Sequence, residues 1–144
     1  MRTAILIPGM VLVLASVALA QAVPPFNVSR LYLTEAEFTR AIQPYQQAIQ
    51  ANARNSQAQY WLGYAYVYAY RQSLAGAAPY AGSYLERAIP PLNEAIKIDP
   101  TMVAAYLALQ DAYFLMGDRE KAEEVWQQMF QRTRPGWLPK VTLE

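Results

Sequence analysis

The side chains that ordinarily carry catalysis are nearly absent. The chain holds no histidine and no cysteine among its 144 residues. That removes the usual general base, the commonest metal ligand, thiol nucleophiles and disulfides. No glycine-rich phosphate loop and no G-x-S-x-G occurs. Carboxylates gather at Glu35 and Glu37, and at Glu120, Glu123 and Glu124. Both groups fall at the start of helical patterns, where the positive end of the helix dipole and solvent favour them. An acid–base pair needs a pocket and a perturbed environment instead. The expectation is a protein without enzymatic activity, metal site or cofactor. What the sequence offers is recognition chemistry: eleven tyrosines, seven of them between residues 60 and 84. Tyrosine is rigid and broad, with a polar tip, and suits binding surfaces.

Those tyrosines must be positioned by helices. Thr34 and Glu37 form a capping box ahead of an apolar stripe at Phe38, Ala41, Ile42, Tyr45, Ala48 and Ile49. Ser56 is the expected cap of the next segment, which is ambiguous on its own. From Tyr64 to Tyr70 it alternates tyrosine with alanine or valine, as a strand does. A loop punctuated by Gly76, Pro79 and Gly82 follows. Ala88–Ile98 carries helical spacing despite Pro90 and Pro91. Thr101–Met116 and Arg119–Arg132 read as two further helices, separated by Gly117-Asp118 and stopped by Pro135 and Gly136.

Three segments repeat: "AIQPYQQAI" from Ala41, "AIPPLNEAI" from Ala88 and "AEEVWQQMF" from Ala122. The steps between them are 47 and 34 residues. Leu62 to Leu109 is also 47, so one 13-residue insertion between Tyr66 and Ala88 accounts for every irregular distance. The pattern resembles the tetratricopeptide repeat (TPR), W-x2-L-G-x2-Y, A-x3-F and a proline in about 34 residues. The middle unit supplies Leu62, Gly63, Tyr66, Ala88, Leu92, Ala95 and Pro100. The third supplies Tyr106, Leu109, Tyr113, Gly117, Ala122 and Trp126. The first shows only its second helix, with Phe38, Ala41, Tyr45 and Ala48. Gln59 stands where the family prefers tryptophan, and Gln110 replaces the glycine of the third unit.

The resemblance implies an all-α fold: a short right-handed stack of helical hairpins, a TPR-like solenoid of about two and a half repeats over residues 34–134, with an insertion within 67–87. It makes residues 56 to about 72 a helix and turns the insertion into extra helical turns and a longer loop, a projecting arm. It also implies a concave groove lined by the first helix of each pair. By position Gln57, Tyr60, Tyr64, Val67 and Tyr68 face it from the middle unit, and Ala104, Leu107, Asp111 and Leu115 from the third. Tyr60, Tyr64, Tyr68, Leu107 and Asp111 are the expected partner-binding residues, whereas Tyr66 falls in a packing slot. The lysine and asparagine with which some members hold a terminal carboxylate are replaced by Tyr60, Tyr64, Leu107 and Asp111. An apolar or proline-rich peptide, or a partner's helix, suits this surface better. Pro91 aligns with Pro44 in the first unit, so the prolines predict a bend in a continuous second helix.

The chain begins with what reads as an export signal over residues 1–20. Arg2 is followed by an apolar run of 17 residues, Ala4 to Ala20, ending in a small-x-small cleavage pattern at Ala18-Leu19-Ala20. Left uncleaved, the run is a membrane anchor, although it is short of the usual span of about 20 and broken by Pro8 and Gly9. Cleavage leaves 11 basic and 11 acidic residues, a net charge of zero. Without a basic patch, neither nucleic acid nor an anionic membrane surface is an expected partner. Residues 21–33, with Pro24 and Pro25, read as an extended lead-in, and 135–144 as a tail. The expected role is an exported, periplasmic or secreted, protein-binding module. A self-associating envelope scaffold is the alternative, since so short a stack leaves apolar ends that pairing between copies would bury.

Overall fold

The structure, a computed structural model, describes residues 22–133. The export segment and the 135–144 tail lie outside the described residues. Those residues form five α-helices and no strand: α1 (Glu35–Ala51), α2 (Ser56–Leu74), α3 (Tyr84–Ile98), α4 (Val103–Leu115) and α5 (Arg119–Thr133), with one turn of 3-10 helix at Pro79–Ala81. Consecutive helices pack on one another, and α2 also packs against α4.

The helix starts follow local chemistry. Thr34 accepts from the Glu37 amide while the Glu37 carboxylate accepts from the Thr34 amide, so the capping box of α1 is present. Asn55, not Ser56, caps α2, its side chain accepting the Ala58 amide at 3.0 Å. Ser56 is already the first helical residue, and an asparagine oxygen one position earlier reaches the same orphan donor. Gly117, at φ +80, makes the turn into α5, and Asp118 accepts the Lys121 amide at 3.1 Å.

The tyrosine-rich segment is helical. Ala65, Val67 and Ala69 are buried and the intervening tyrosines half-buried. A helix wedged between α1, α3 and α4 has little free face, so its pattern follows residue size rather than polarity. Small residues mark the close approaches. A Cβ on Gly63 would lie 2.5 Å from Leu92 Cγ and 3.1 Å from the Ala88 carbonyl oxygen. Leu92 and Ala88 are fully buried, so neither can yield.

α3 runs through both prolines. Glu86 and Arg87, whose carbonyls lose the amides of residues 90 and 91, are exposed, so water can satisfy them. Pro44 in α1 leaves the carbonyl of exposed Arg40 in the same position.

The extra thirteen residues do not form a projecting arm. α2 has 19 residues against 13 in α4, a difference of six. The α2–α3 connection, residues 75–83, exceeds the α4–α5 connection, residues 116–118, by six more. The last residue starts α3 one position earlier relative to Ala88 than α5 starts relative to Ala122. The connection folds back because it carries buried apolar residues: Ala78, Ala81 and, at the start of α3, Tyr84 are inaccessible to solvent. They join Phe26, Tyr32, Phe38, Ile42 and Tyr45 in an aromatic core beside α1. A second, mostly aliphatic core lies among α2, α3, α4 and α5.

The lead-in has no helix or strand, but it is not simply extended, since it turns at residues 28–30, and it is not peripheral. Ala22, Val23 and Pro24 lie by Pro44, Ala48 and Ala51, and Arg30 pairs with Glu37 at 3.2 Å. It therefore runs antiparallel along α1, burying Phe26 and Tyr32 between α1 and α2.

Candidate functional site

Tyr64, Val67 and Tyr68 on α2 and Asp111 on α4 line one concavity of about 330 Å³ together with Arg71. Their spacing on α2, at i, i+3, i+4 and i+7, puts all four α2 residues on one helix face. Val67 is buried and makes an apolar floor, and the two half-buried tyrosines make walls. Across the mouth, Arg71 donates to both carboxylate oxygens of Asp111, with Nε at 3.1 Å. The bond to Asp111 pushes the Arg71 pKa further up, so the guanidinium stays charged. The arrangement offers a slot for an apolar or ring-shaped side chain, lined on its polar side by a part-exposed ion pair.

Of the five expected partner-binding residues, Tyr64, Tyr68 and Asp111 come together here. Tyr60 sits one turn earlier on α2, its ring 4.6 Å from Trp61 and 5.8 Å from Tyr64, centroid to centroid. Burial raises its pKa, with Tyr64 adding to the effect. Leu107 is 45% exposed on α4, one turn before Asp111, and does not line the concavity. Tyr68 lines the slot, but its ring packs edge-on against Phe26 at 5.6 Å and its hydroxyl donates to the Val28 carbonyl at 2.6 Å and lies 3.2 Å from that of Arg30. The tip expected to greet a ligand holds the lead-in instead.

Sequence reasoning missed Arg71. A charged residue near the end of a helix reads as solvated, and nothing local announces a partner 40 positions away. Its signal was positional, since Arg71 continues the spacing of Tyr60, Tyr64 and Val67 by one turn. Among the described residues no group of three or more potential ligands is placed to hold a metal ion. Nor is any helix there long and apolar enough to cross a membrane. The sequence matches no protein-family model. It has no significant similarity to a curated protein.

Proposed function

We propose that the chain is an exported TPR-like protein–protein interaction module that binds an apolar or proline-rich peptide of an envelope partner in the slot between α2 and α4. The observation that carries this reading is the slot itself, with its Val67 floor, its Tyr64 and Tyr68 walls and the Arg71–Asp111 pair at its mouth. Aromatic-walled grooves take proline rings because the polyproline conformation is already extended and loses little entropy on docking. The repeat reading is supported by the close approach of Gly63 to α3, by the packing of α2 on α4, and by the single location of the thirteen extra residues.

Titration with a proline-rich peptide, followed by NMR shift mapping, tests the binding role. The expected shifts centre on Tyr64, Val67 and Asp111, and Tyr64→Ala weakens binding about tenfold while the helical signal is kept. No shift at saturating peptide, or shifts centred elsewhere, would remove the groove as the site. For export, the protein recovered from the cell envelope is expected to begin at Gln21.

Self-association as an envelope scaffold is favoured by a different observation. Phe114 on α4 and Trp126 on α5 are large apolar side chains left 60% and 42% exposed at the C-terminal end of the stack. Light scattering across a concentration series decides it: a monomer at all concentrations excludes this role.

A further inference from the structure

Residues 26–32 sit in this molecule as a peptide sits in a receptor. The segment has no helix or strand; a turn at 28–30 brings the Phe26 and Tyr32 rings to 5.2 Å, the Tyr32 hydroxyl donates to the Asn27 carbonyl at 2.9 Å, and side chains from 38 to 48 positions away read the rest of its backbone. Gln72, only 6% exposed, donates Nε2 to the Arg30 carbonyl at 3.1 Å and accepts the Tyr32 amide on Oε1 at 3.1 Å. A carboxamide bonded in both directions to one stretch of backbone offers what a neighbouring strand would offer, whatever side chains that stretch carries. Tyr68, one turn earlier, holds the carbonyls of Val28 and Arg30, and the Tyr80 hydroxyl donates to the Tyr32 carbonyl at 2.8 Å. Within residues 22–33 only Phe26 and Tyr32 are fully buried, while Val28, Leu31 and Leu33 face solvent. A helix or paired strand would satisfy its backbone through other backbone. Here, backbone-reading side chains supply affinity and two aromatic anchors six positions apart supply selectivity.

We propose that this surface is a second peptide site, filled in cis by residues 26–32, which takes in trans a partner segment that makes the same turn and so brings two aromatic residues six positions apart into contact. It meets the α2–α4 slot at Tyr68, but it stands on Gln72 and Tyr80, which the slot does not use. A short tether supplies an effective concentration on the order of millimolar, so the cis segment wins until its anchors are weakened or the partner is locally concentrated.

The probe is a labelled synthetic peptide of residues 22–33, AVPPFNVSRLYL, added to the full chain. The variant Phe26→Ala/Tyr32→Ala is expected to keep its helical circular dichroism and to bind the probe at least about tenfold more tightly than the natural chain, where the cis segment competes. Adding Tyr80→Phe should weaken that binding severalfold through loss of one hydrogen bond. Equal binding by both chains, or loss of helical structure in the double variant, overturns the proposal, the latter because the segment would then be an integral part of the core. Hydrogen exchange on the natural chain gives an independent reading. The Tyr32 amide should exchange by local release at least about tenfold faster than amides in the middle of α2; equal protection overturns the proposal. Failure here leaves the proline-rich peptide titration of the slot untouched, because that probe is read at Tyr64 and Asp111.

Discussion

Helices α2 and α4 begin the two helix pairs and align at Leu62 and Leu109, each the seventh residue of its helix, yet the pairs are packed by different means. α2 meets α3 across Gly63, where a single added carbon would collide with Leu92. α4 carries half-buried Gln110 at the matching position. The α2–α3 connection folds over an aromatic core that also takes in α1 and the lead-in, while the α4–α5 connection is a three-residue turn beside an aliphatic core. Two neighbouring helix pairs therefore reach two packing solutions. In the N-terminal half interlocked rings and many tertiary hydrogen bonds fix the structure; in the C-terminal half small aliphatic side chains and short connections do.

The difference predicts where damage is greatest. Phe38 is one of the largest fully buried side chains and lies within 6.4 Å of Phe26, Tyr32, Tyr66, Tyr80 and Tyr84, centroid to centroid. Phe38→Ala should cost about 4 kcal/mol, because five rings cannot collapse into the space left. Met129→Ala, in the last helix, should cost about 2 kcal/mol, near the lower bound for such truncations, since fewer elements surround it. Urea denaturation measures both. The reverse ranking would show that the aromatic half is not the stronger of the two.

Alkali separates the halves by chemistry. Tyr84 donates to Glu35 at 2.8 Å, and burial together with that carboxylate pushes its pKa to about 12. Burial also raises Tyr32, Tyr45, Tyr60, Tyr66 and Tyr80. A pKa raised in the folded state means stability that is complete below the unfolded value near 10 and lost as pH rises through the folded value near 12. For Tyr84 alone that rise corresponds to roughly 3 kcal/mol. Absorbance of tyrosinate should therefore rise late and steeply, together with loss of helix, between those limits. Tyr84→Phe should flatten the fall in stability over that window. An unchanged profile would mean that Tyr84 ionises without strain.

At the helix crossing itself, Gly63→Ala should destabilise by about 2 kcal/mol, even after the fraction of a kcal/mol to about 1 kcal/mol that alanine gains over glycine in a helix. Gln110→Ala, at the equivalent point of the other pair, should change stability by less than about 0.5 kcal/mol. Equal effects at the two positions would erase the distinction between the crossings.

Five helices and the capping box were legible in the sequence because each leaves a local or periodic mark. The strand-like run at Tyr64–Tyr70 became readable only through the repeat spacing, because a helix packed on several sides loses its amphipathic signature. Tyr64, Tyr68 and Asp111 were grouped through the family resemblance, and they line one concavity. The role of the lead-in was not legible. Phe26 and Tyr32 belong to no periodic pattern, and the side chains that bond the Tyr32 backbone, Gln72 and Tyr80, are 40 and 48 positions away. The folded-back connection was missed for a related reason. Its two glycines and Pro79 read as an exposed loop, while the buried alanines at 78 and 81 are too small to register as core.

The smallest expected effect concerns the joint between the two halves. Arg71 and Asp111 link α2 to α4, yet their side chains are 55% and 31% exposed. Water and salt screen such a pair, and ordering two side chains costs entropy, so a double-mutant cycle with Arg71→Met and Asp111→Asn should give a coupling below about 1 kcal/mol that shrinks as salt rises. Its weakness matters for function. A pair that contributes little to folding can open for a ligand at little cost, so the slot can widen without loosening the crossing at Gly63. A coupling above about 2 kcal/mol, insensitive to salt, would make the pair a strut, and the slot beneath it a packing defect between two halves instead of a place for a partner's side chain.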